Sequence, residues 1–237
     1  MIDAPKPFDP VDYFDESVAV RYDQGIRLSC PSYDALQLSM VPWLQLLPEK
    51  STFLSAGAGT GTEVINLGKR FPSWNFVAVD VSADMLKVCQ RRIAQADLVS
   101  RVEIFQGRIE EYESRERFEA ASSIFVVHFI AGRDERLAYF RSIASKLKPG
   151  GVFVLADLYG DRGSPEFVPL LQAWLLHYVS HGATAEKLTK DLEHIFRNIV
   201  FSPESEVIAL LHEAGFTGIV RFFQTFLFGG WVATRQG

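Results

Sequence analysis

A glycine-rich turn between an apolar strand and a helix constrains this 237-residue chain more than any other feature. The segment Thr52–Glu63, TFLSAGAGTGTE, is typical of a short strand, a turn carrying three glycines and the first turn of a helix. Asp80 follows about twenty residues later, after the apolar run Phe76–Val79. In α/β folds such glycines let a nucleoside approach the backbone, and the downstream acid accepts hydrogen bonds from ribose hydroxyls. The pattern predicts an adenosine-type ligand, and the alternative is a plain tight turn.

The spacing of the glycines narrows the choice of ligand. A dinucleotide fingerprint needs a small residue three positions after the second glycine, and Thr62 occupies that position. A Walker loop needs Gly-Lys followed by Ser or Thr, and no Lys follows Gly61. A nicotinamide dehydrogenase therefore stays only as a rival interpretation, to be tested by NAD binding.

Continuous apolar runs alternate with amphipathic segments along the middle of the chain. Such runs indicate strands covered on both faces, and the alternation predicts a doubly wound parallel sheet with helices on both faces. The predicted strands are Thr52–Ala56, Asn75–Asp80, Val102–Gln106, Ala121–His128 and Val152–Leu158. The predicted helices are Thr62–Arg70, Ala83–Ala96, Asp134–Leu147 and Pro165–His181, followed by Pro203–Ala214 and two aromatic-rich strands within 217–235.

The same pattern predicts four segments in one domain. Residues 1–48 are expected to form an arm over the ligand, with helices Ser17–Gln24 and Pro31–Leu47, the second bent or ended near Pro42. Residues 49–160 are expected to form the Rossmann-like core. Residues 161–202 are too long for a simple crossover and predict a helical lid. Residues 203–237 are expected to complete the core with a helix and a strand hairpin.

Composition limits the partners. The formal charge is −5 and no basic run stands out, which argues against a large nucleic-acid interface but leaves open a tRNA-handling enzyme that uses a local basic patch. The two cysteines, Cys30 and Cys89, have no metal-ligand spacing, so no metal site is expected. No apolar run approaches the length of a membrane span, and the first residues lack a signal-peptide core. We therefore expect a soluble cytoplasmic protein that acts on a small molecule.

Residues 50–160 resemble class I S-adenosylmethionine-dependent methyltransferases, which carry the Gly-x-Gly-x-Gly arrangement seen here. The resemblance implies an enzyme with a seven-stranded Rossmann-like sheet whose last strand is antiparallel. It also implies S-adenosyl-L-methionine as cofactor and S-adenosyl-L-homocysteine as product. The expected cofactor-binding residues are Gly57, Ala58, Gly59, Gly61, Asp80, Val81, Met85, Arg108, Ile109 and Tyr33. Core packing for Met85 and a solvated surface position for Arg108 stay as alternatives.

A narrower resemblance covers the two ends of the chain. Arg27–Tyr33, Leu211–Phe216 and Phe223–Gly229 are similar to segments of carboxy-S-adenosylmethionine synthases, which act in wobble-uridine modification of tRNA. This resemblance implies that Tyr33 approaches the cofactor, and it suggests a homodimer. The arginine that binds the additional carboxylate in those enzymes falls at Leu192 here, with Arg197 out of register. That departure favours ordinary S-adenosylmethionine, because a carboxylate needs a fixed bidentate donor.

Candidate catalytic residues follow from strand ends, where ligands bind in open α/β sheets. His128 is expected to act as a general base or to orient the acceptor, and Tyr159, with Asp157, is expected to contact the acceptor. The alternatives are a packed histidine and loop caps. A protein that binds the cofactor without turnover stays open, because Ser55 replaces the acid that most of the superfamily has two residues before the first glycine. An acid restored at Ser55 is expected to tighten cofactor binding.

Overall fold

A seven-stranded sheet forms the centre of the protein in this computed structural model, which describes residues 9–237. The strands lie in the order β3-β2-β1-β4-β5-β7-β6. The first five are parallel, and β7 runs antiparallel between β5 and β6. The strands are β1 (Thr52–Ala56), β2 (Asn75–Asp80), β3 (Val102–Gln106), β4 (Phe118–Ile124), β5 (Leu147–Leu158), β6 (Phe216–Thr225) and β7 (Phe228–Arg235).

Ten α-helices accompany the sheet within the described residues. Two hydrophobic clusters cover its faces, one under α4, α5 and α6 and the other under α7 and α10. The doubly wound α/β fold with an antiparallel last strand is therefore confirmed. The helices are α1 (Pro10–Tyr13), α2 (Glu16–Ala19), α3 (Tyr22–Ser29), α4 (Tyr33–Leu44), α5 (Thr62–Arg70), α6 (Ala83–Gln95), α7 (Arg133–Lys146), α8 (Phe167–Ser180), α9 (Ala185–Asn198) and α10 (Glu204–Glu213).

The fourth strand differs from its prediction at both ends. It starts earlier, at Phe118, and stops at Ile124, so the prediction that it reaches His128 is wrong. Phe125 adopts a left-handed backbone with φ of 59°, and its N–H donates to the carbonyl of Ala156 at 2.7 Å. A 3₁₀ turn over Val127–Phe129 follows. The turn moves His128 out of the sheet and into the loop above β4.

The N-terminal part, residues 9–48, also differs in detail. The single helix predicted over Ser17–Gln24 is instead two helices, because Asp15 caps α2 through the N–H of Val18 (3.0 Å) and a new helix starts at Tyr22. Pro42 lies inside the last turn of α4, which ends two residues later. Predictions that concern residues 1–8 lie outside the described residues.

Hydrogen bonds and an ion pair attach this N-terminal part to the core. The Ser82 hydroxyl donates to the carbonyl of Phe14 at 2.6 Å. Asp23 on α3 accepts from Thr60 Oγ1 at 2.8 Å and pairs with Arg92 on α6 at 2.8 Å. The described residues contain no helix long and apolar enough to cross a membrane.

Candidate active site

The glycine turn takes a backbone shape that other residues resist. Gly57, Gly59 and Gly61 have φ values of 78°, 55° and 78°, in the left-handed region. A Cβ on Gly57 would lie 2.2 Å from Val126 Cγ2, and a Cβ on Gly61 would lie 2.6 Å from Cys89 Sγ. The glycines therefore shape a cradle that a side chain would fill.

The turn is fixed to β2 by backbone hydrogen bonds. The N–H groups of Gly57 and Ala58 both donate to the carbonyl of Val79, at 2.8 and 2.9 Å. Asp80 then accepts from the Gly59 N–H at 2.7 Å and from the Ser82 N–H at 2.9 Å. Burial raises the pKa of Asp80, and these two hydrogen bonds work in the opposite direction. A carboxylate has about four acceptor positions, so Asp80 can accept from a ribose as well.

A cavity of about 630 Å³ opens above this turn, and we call it the glycine-loop cavity. It has the size of a typical cofactor site. Most of the predicted cofactor residues line it, namely Gly57, Gly59, Asp80, Val81, Met85, Arg108 and Ile109. Ala58, Gly61 and Tyr33 are buried behind the wall instead. Phe14 and Tyr22, which no motif indicated, form part of the lining.

A second cavity of about 850 Å³ lies between the N-terminal helices, α8, α9 and the sheet. We call it the aromatic cavity, because rings dominate its wall. The two cavities share Phe14, Tyr22, Phe125 and Phe129. The aromatic cavity is further lined by Tyr13, His128, Trp174, Tyr178, His194 and Phe228. A ligand in one cavity therefore lies next to a ligand in the other.

His128 is fixed in the wall of the aromatic cavity by Asp157. Its backbone N–H donates to Asp157 Oδ2 at 3.0 Å, and its Nδ1 bonds to Asp157 Oδ1. Both side chains are buried. Because an ionised carboxylate only accepts, Nδ1 carries the proton in the neutral imidazole, which leaves Nε2 as the acceptor. The pair thus has the geometry of a base with its orienting acid.

The second histidine of this cavity, His194, comes from α9. Its ring stacks on Tyr13, with centroids 4.4 Å apart and planes 9° apart. Burial lowers the pKa of His194. The stack joins α1 to α9 in the wall of the aromatic cavity.

Tyr159 does not join His128. Its hydroxyl accepts from Arg221 at 3.0 Å, and its ring packs edge-on against Trp231 with centroids 5.0 Å apart. It lines neither cavity. The two residues predicted to be catalytic are therefore separated, because Tyr159 continues the β5 pairing with the hairpin while His128 lies in the 3₁₀ turn.

The two positions considered for the arginine that binds a carboxylated cofactor, Leu192 and Arg197, do not contribute to either cavity. Leu192 and Arg197 both lie on α9, and Arg197 is exposed to solvent. The bidentate donor that a carboxylated cofactor requires is absent from these two positions.

The comparisons with known proteins agree with this geometry. Residues 53–151 match the family model described as "Methyltransferase domain". This part of the chain is similar to methyltransferase domains. The match confirms the resemblance to S-adenosylmethionine-dependent methyltransferases and the prediction of an enzyme. The glycine turn and Asp80 fit the S-adenosylmethionine that the sequence predicts as cofactor.

Similar proteins extend the match over nearly the whole chain. The carboxy-S-adenosyl-L-methionine synthase of Citrobacter koseri is 27% identical, with 94% of this chain and 91% of that protein covered. A methyltransferase of Clostridium acetobutylicum has a similar structure, with a TM-score of 0.67, 15% identity, and coverage of 93% of this chain and 98% of that one. Human N-acetylserotonin methyltransferase, solved with S-adenosylmethionine, has a TM-score of 0.66 and 14% identity, with 98% of this chain and 60% of that chain covered.

Proposed function

We propose that this protein transfers the methyl group of S-adenosylmethionine to a hydroxyl of a small, partly apolar acceptor. The observation that carries the proposal is the His128–Asp157 pair, with His128 in the wall of the aromatic cavity. That cavity shares four lining residues with the glycine-loop cavity, so an acceptor bound there would lie next to the cofactor. The glycine cradle and Asp80 would hold the cofactor's adenosine, and the aromatic cavity would hold the acceptor.

The protein's own residues contribute alignment and one proton transfer. The positive sulfur of the cofactor makes its methyl group electrophilic, so holding the acceptor in line accounts for much of the rate. His128 Nε2 takes the proton of the acceptor hydroxyl as the O–CH₃ bond forms and the S–CH₃ bond breaks. Asp157 stabilises the resulting imidazolium. The products are the methylated acceptor and S-adenosylhomocysteine, and the proton leaves from His128 to solvent.

The assay is release of S-adenosylhomocysteine with a panel of small hydroxylated acceptors and matched amines. With a hydroxyl acceptor, His128→Ala should lower kcat by roughly 10²- to 10⁴-fold, the usual contribution of a general base. Cofactor affinity, measured by calorimetry, should stay unchanged because His128 does not line the glycine-loop cavity. Tight cofactor binding without turnover on the whole panel would instead indicate a binding protein.

A carboxy-S-adenosylmethionine synthase is the second candidate, and the relatives of that name at 27% identity favour it. Leu192 and the exposed Arg197 stand against it. Mass spectrometry of the ligand that copurifies with the protein separates the candidates, because a carboxylated cofactor would overturn the first. Homodimer formation and a cytoplasmic location stay predictions from the sequence, and a role in tRNA modification stays an alternative.

A further inference from the structure

The position that lacks the usual acid has a buried acid beside it. The Ser55 hydroxyl, at the end of β1, donates to Glu63 Oε1 at 2.6 Å. Glu63 lies in the first turn of α5, after the glycine turn, and is 3% exposed, while Ser55 is fully buried. A carboxyl group therefore lies at this place in the fold, although it comes from the helix and not from the strand.

No ion-pair partner of this acid is found in the part of the chain that the structure describes. Arg92 is close enough to act on its charge, but its guanidinium pairs with Asp23 at 2.8 Å. Burial raises the pKa of Glu63 to about 7. A buried carboxyl without a cation is costly, so its presence calls for a reason.

Glu63 does not itself line the glycine-loop cavity, but it lies close to residues that do. Its charge contributes to the raised pKa values of Tyr22 and Tyr33, and the charge of Asp80 acts on Glu63 in turn. Tyr22 and Asp80 both line the cavity. The acid therefore lies between the glycine turn and the N-terminal helices.

A second buried polar group points to a ligand at the same place. Ser122 on β4 is in register with Ser55 on β1, so their side chains lie on the same face of the sheet. The Ser122 hydroxyl is fully buried and has no hydrogen-bond partner among the described residues. An acid without an ion-pair partner and a hydroxyl without a hydrogen-bond partner therefore lie on either side of Ser55, one bonded to it and the other in register with it.

We propose that Glu63 binds the ammonium group of the cofactor's methionine portion, with Ser55 holding the carboxyl in position. The inference rests on the proposed binding of S-adenosylmethionine. It revises the expectation for Ser55, since an aspartate there would face the Glu63 carboxyl, and two like charges in one buried place disfavour each other. Ser55→Asp alone should therefore fail to tighten binding.

Two ligands test the assignment by calorimetry. S-adenosylhomocysteine carries the amino-acid group, whereas 5′-methylthioadenosine has the same adenosine and sulfur without it. Glu63→Gln should lower affinity for S-adenosylhomocysteine by roughly 10- to 100-fold, the effect of losing one charge-assisted hydrogen bond. Affinity for 5′-methylthioadenosine should stay unchanged. Equal losses for both ligands, or no loss for either, would overturn the proposal.

A double variant moves the acid back to the strand. Ser55→Asp combined with Glu63→Gln should recover most of the lost affinity for S-adenosylhomocysteine, because one carboxylate again lies under the turn. A double variant no better than Glu63→Gln would contradict the proposed role. If the unaltered protein binds neither ligand, the proposed function fails first, and that result is distinct from the selective loss expected in the variant.

The unaltered protein supplies an independent measurement. Its affinity for S-adenosylhomocysteine, divided by its affinity for 5′-methylthioadenosine, should rise between about pH 6 and pH 8, because Glu63 ionises with a pKa of about 7. The charged and titratable groups around Glu63 are Asp80, Arg92, Tyr22, Tyr33 and Cys89. Asp80 would serve the ribose of both ligands, so its titration largely cancels in the ratio. A ratio that stays flat would count against Glu63.

Discussion

The two cavities are neighbours but are built from different parts of the chain. The glycine-loop cavity takes its shape from backbone, with Gly57 and Ala58 bonded to Val79 and the Asp80 carboxylate bonded to Gly59. The aromatic cavity takes its shape from side chains of the N-terminal helices, α8 and α9. A turn with positive φ values accepts few residue types other than glycine, whereas side chains that line a cavity can be exchanged more freely. We expect the first cavity to bind one cofactor and the second to set which acceptor enters.

The largest expected effect is at Gly57, where backbone and packing both exclude a side chain. Gly57→Ala adds the strain of a positive φ, about 1–2 kcal/mol, and a Cβ 2.2 Å from Val126 Cγ2. Cofactor affinity should fall by more than roughly 100-fold, measured as the Kd for S-adenosylhomocysteine, since the turn must move.

Gly150→Ala is the matched control for this change. Gly150 has a φ of 76°, and a Cβ there meets nothing within 4 Å. It lies in β5, outside both cavities. This variant should lose about the same 1–2 kcal/mol of stability and keep its cofactor affinity. Comparable loss of affinity in both glycine variants would mean that backbone strain, and not the cradle, dominates.

The same contrast explains what the sequence could predict. β1, β2 and β3 have the predicted bounds, and most predicted cofactor residues line one cavity. These features are predictable because the glycines and the acid at the strand end are required by the local backbone conformation. The end of β4 was mispredicted since the left-handed Phe125 carries no sequence signal. The aromatic cavity depends on contacts such as Trp174 Nε1 to the carbonyl of Ser29 at 2.8 Å, between residues far apart in the chain. Spacing alone does not reveal such contacts.

Glu63 should show a stability effect of intermediate size in the cofactor-free protein. Its folded-state pKa of about 7 lies above the ordinary value of 4.5. The stability linked to the neutral acid is therefore present below about pH 4.5 and is lost as the pH rises through about 7. Glu63→Gln removes this loss, so at pH 8 the variant should be more stable by up to about 3 kcal/mol.

Urea unfolding at several pH values measures this difference, which should shrink towards zero near pH 4.5. The exposed Glu49 serves as control, because Glu49→Gln should change stability little at any of these pH values. A Glu63→Gln variant that is less stable at pH 8 would show that the carboxylate stabilises the empty fold. If Glu63→Gln is more stable at pH 8 but binds S-adenosylhomocysteine more weakly, the Glu63 carboxylate serves ligand binding at the expense of stability.

The smallest effect is expected at Tyr13, in the wall of the aromatic cavity. Tyr13 is 40% exposed and stacks on His194, so its removal opens the side wall without disturbing the glycine turn. Tyr13→Ala should raise the acceptor KM several-fold, since one aromatic pair contributes about 0.5–1.5 kcal/mol, and should leave the cofactor Kd unchanged. Tyr13→Phe keeps the ring stack, so it should retain most of the acceptor affinity that Tyr13→Ala loses. The next residue, Phe14, lines both cavities, so Phe14→Ala should weaken cofactor and acceptor together. If Tyr13→Ala also weakened the cofactor, the two cavities would act as a single site, and the division between a backbone-built and a side-chain-built site would not hold.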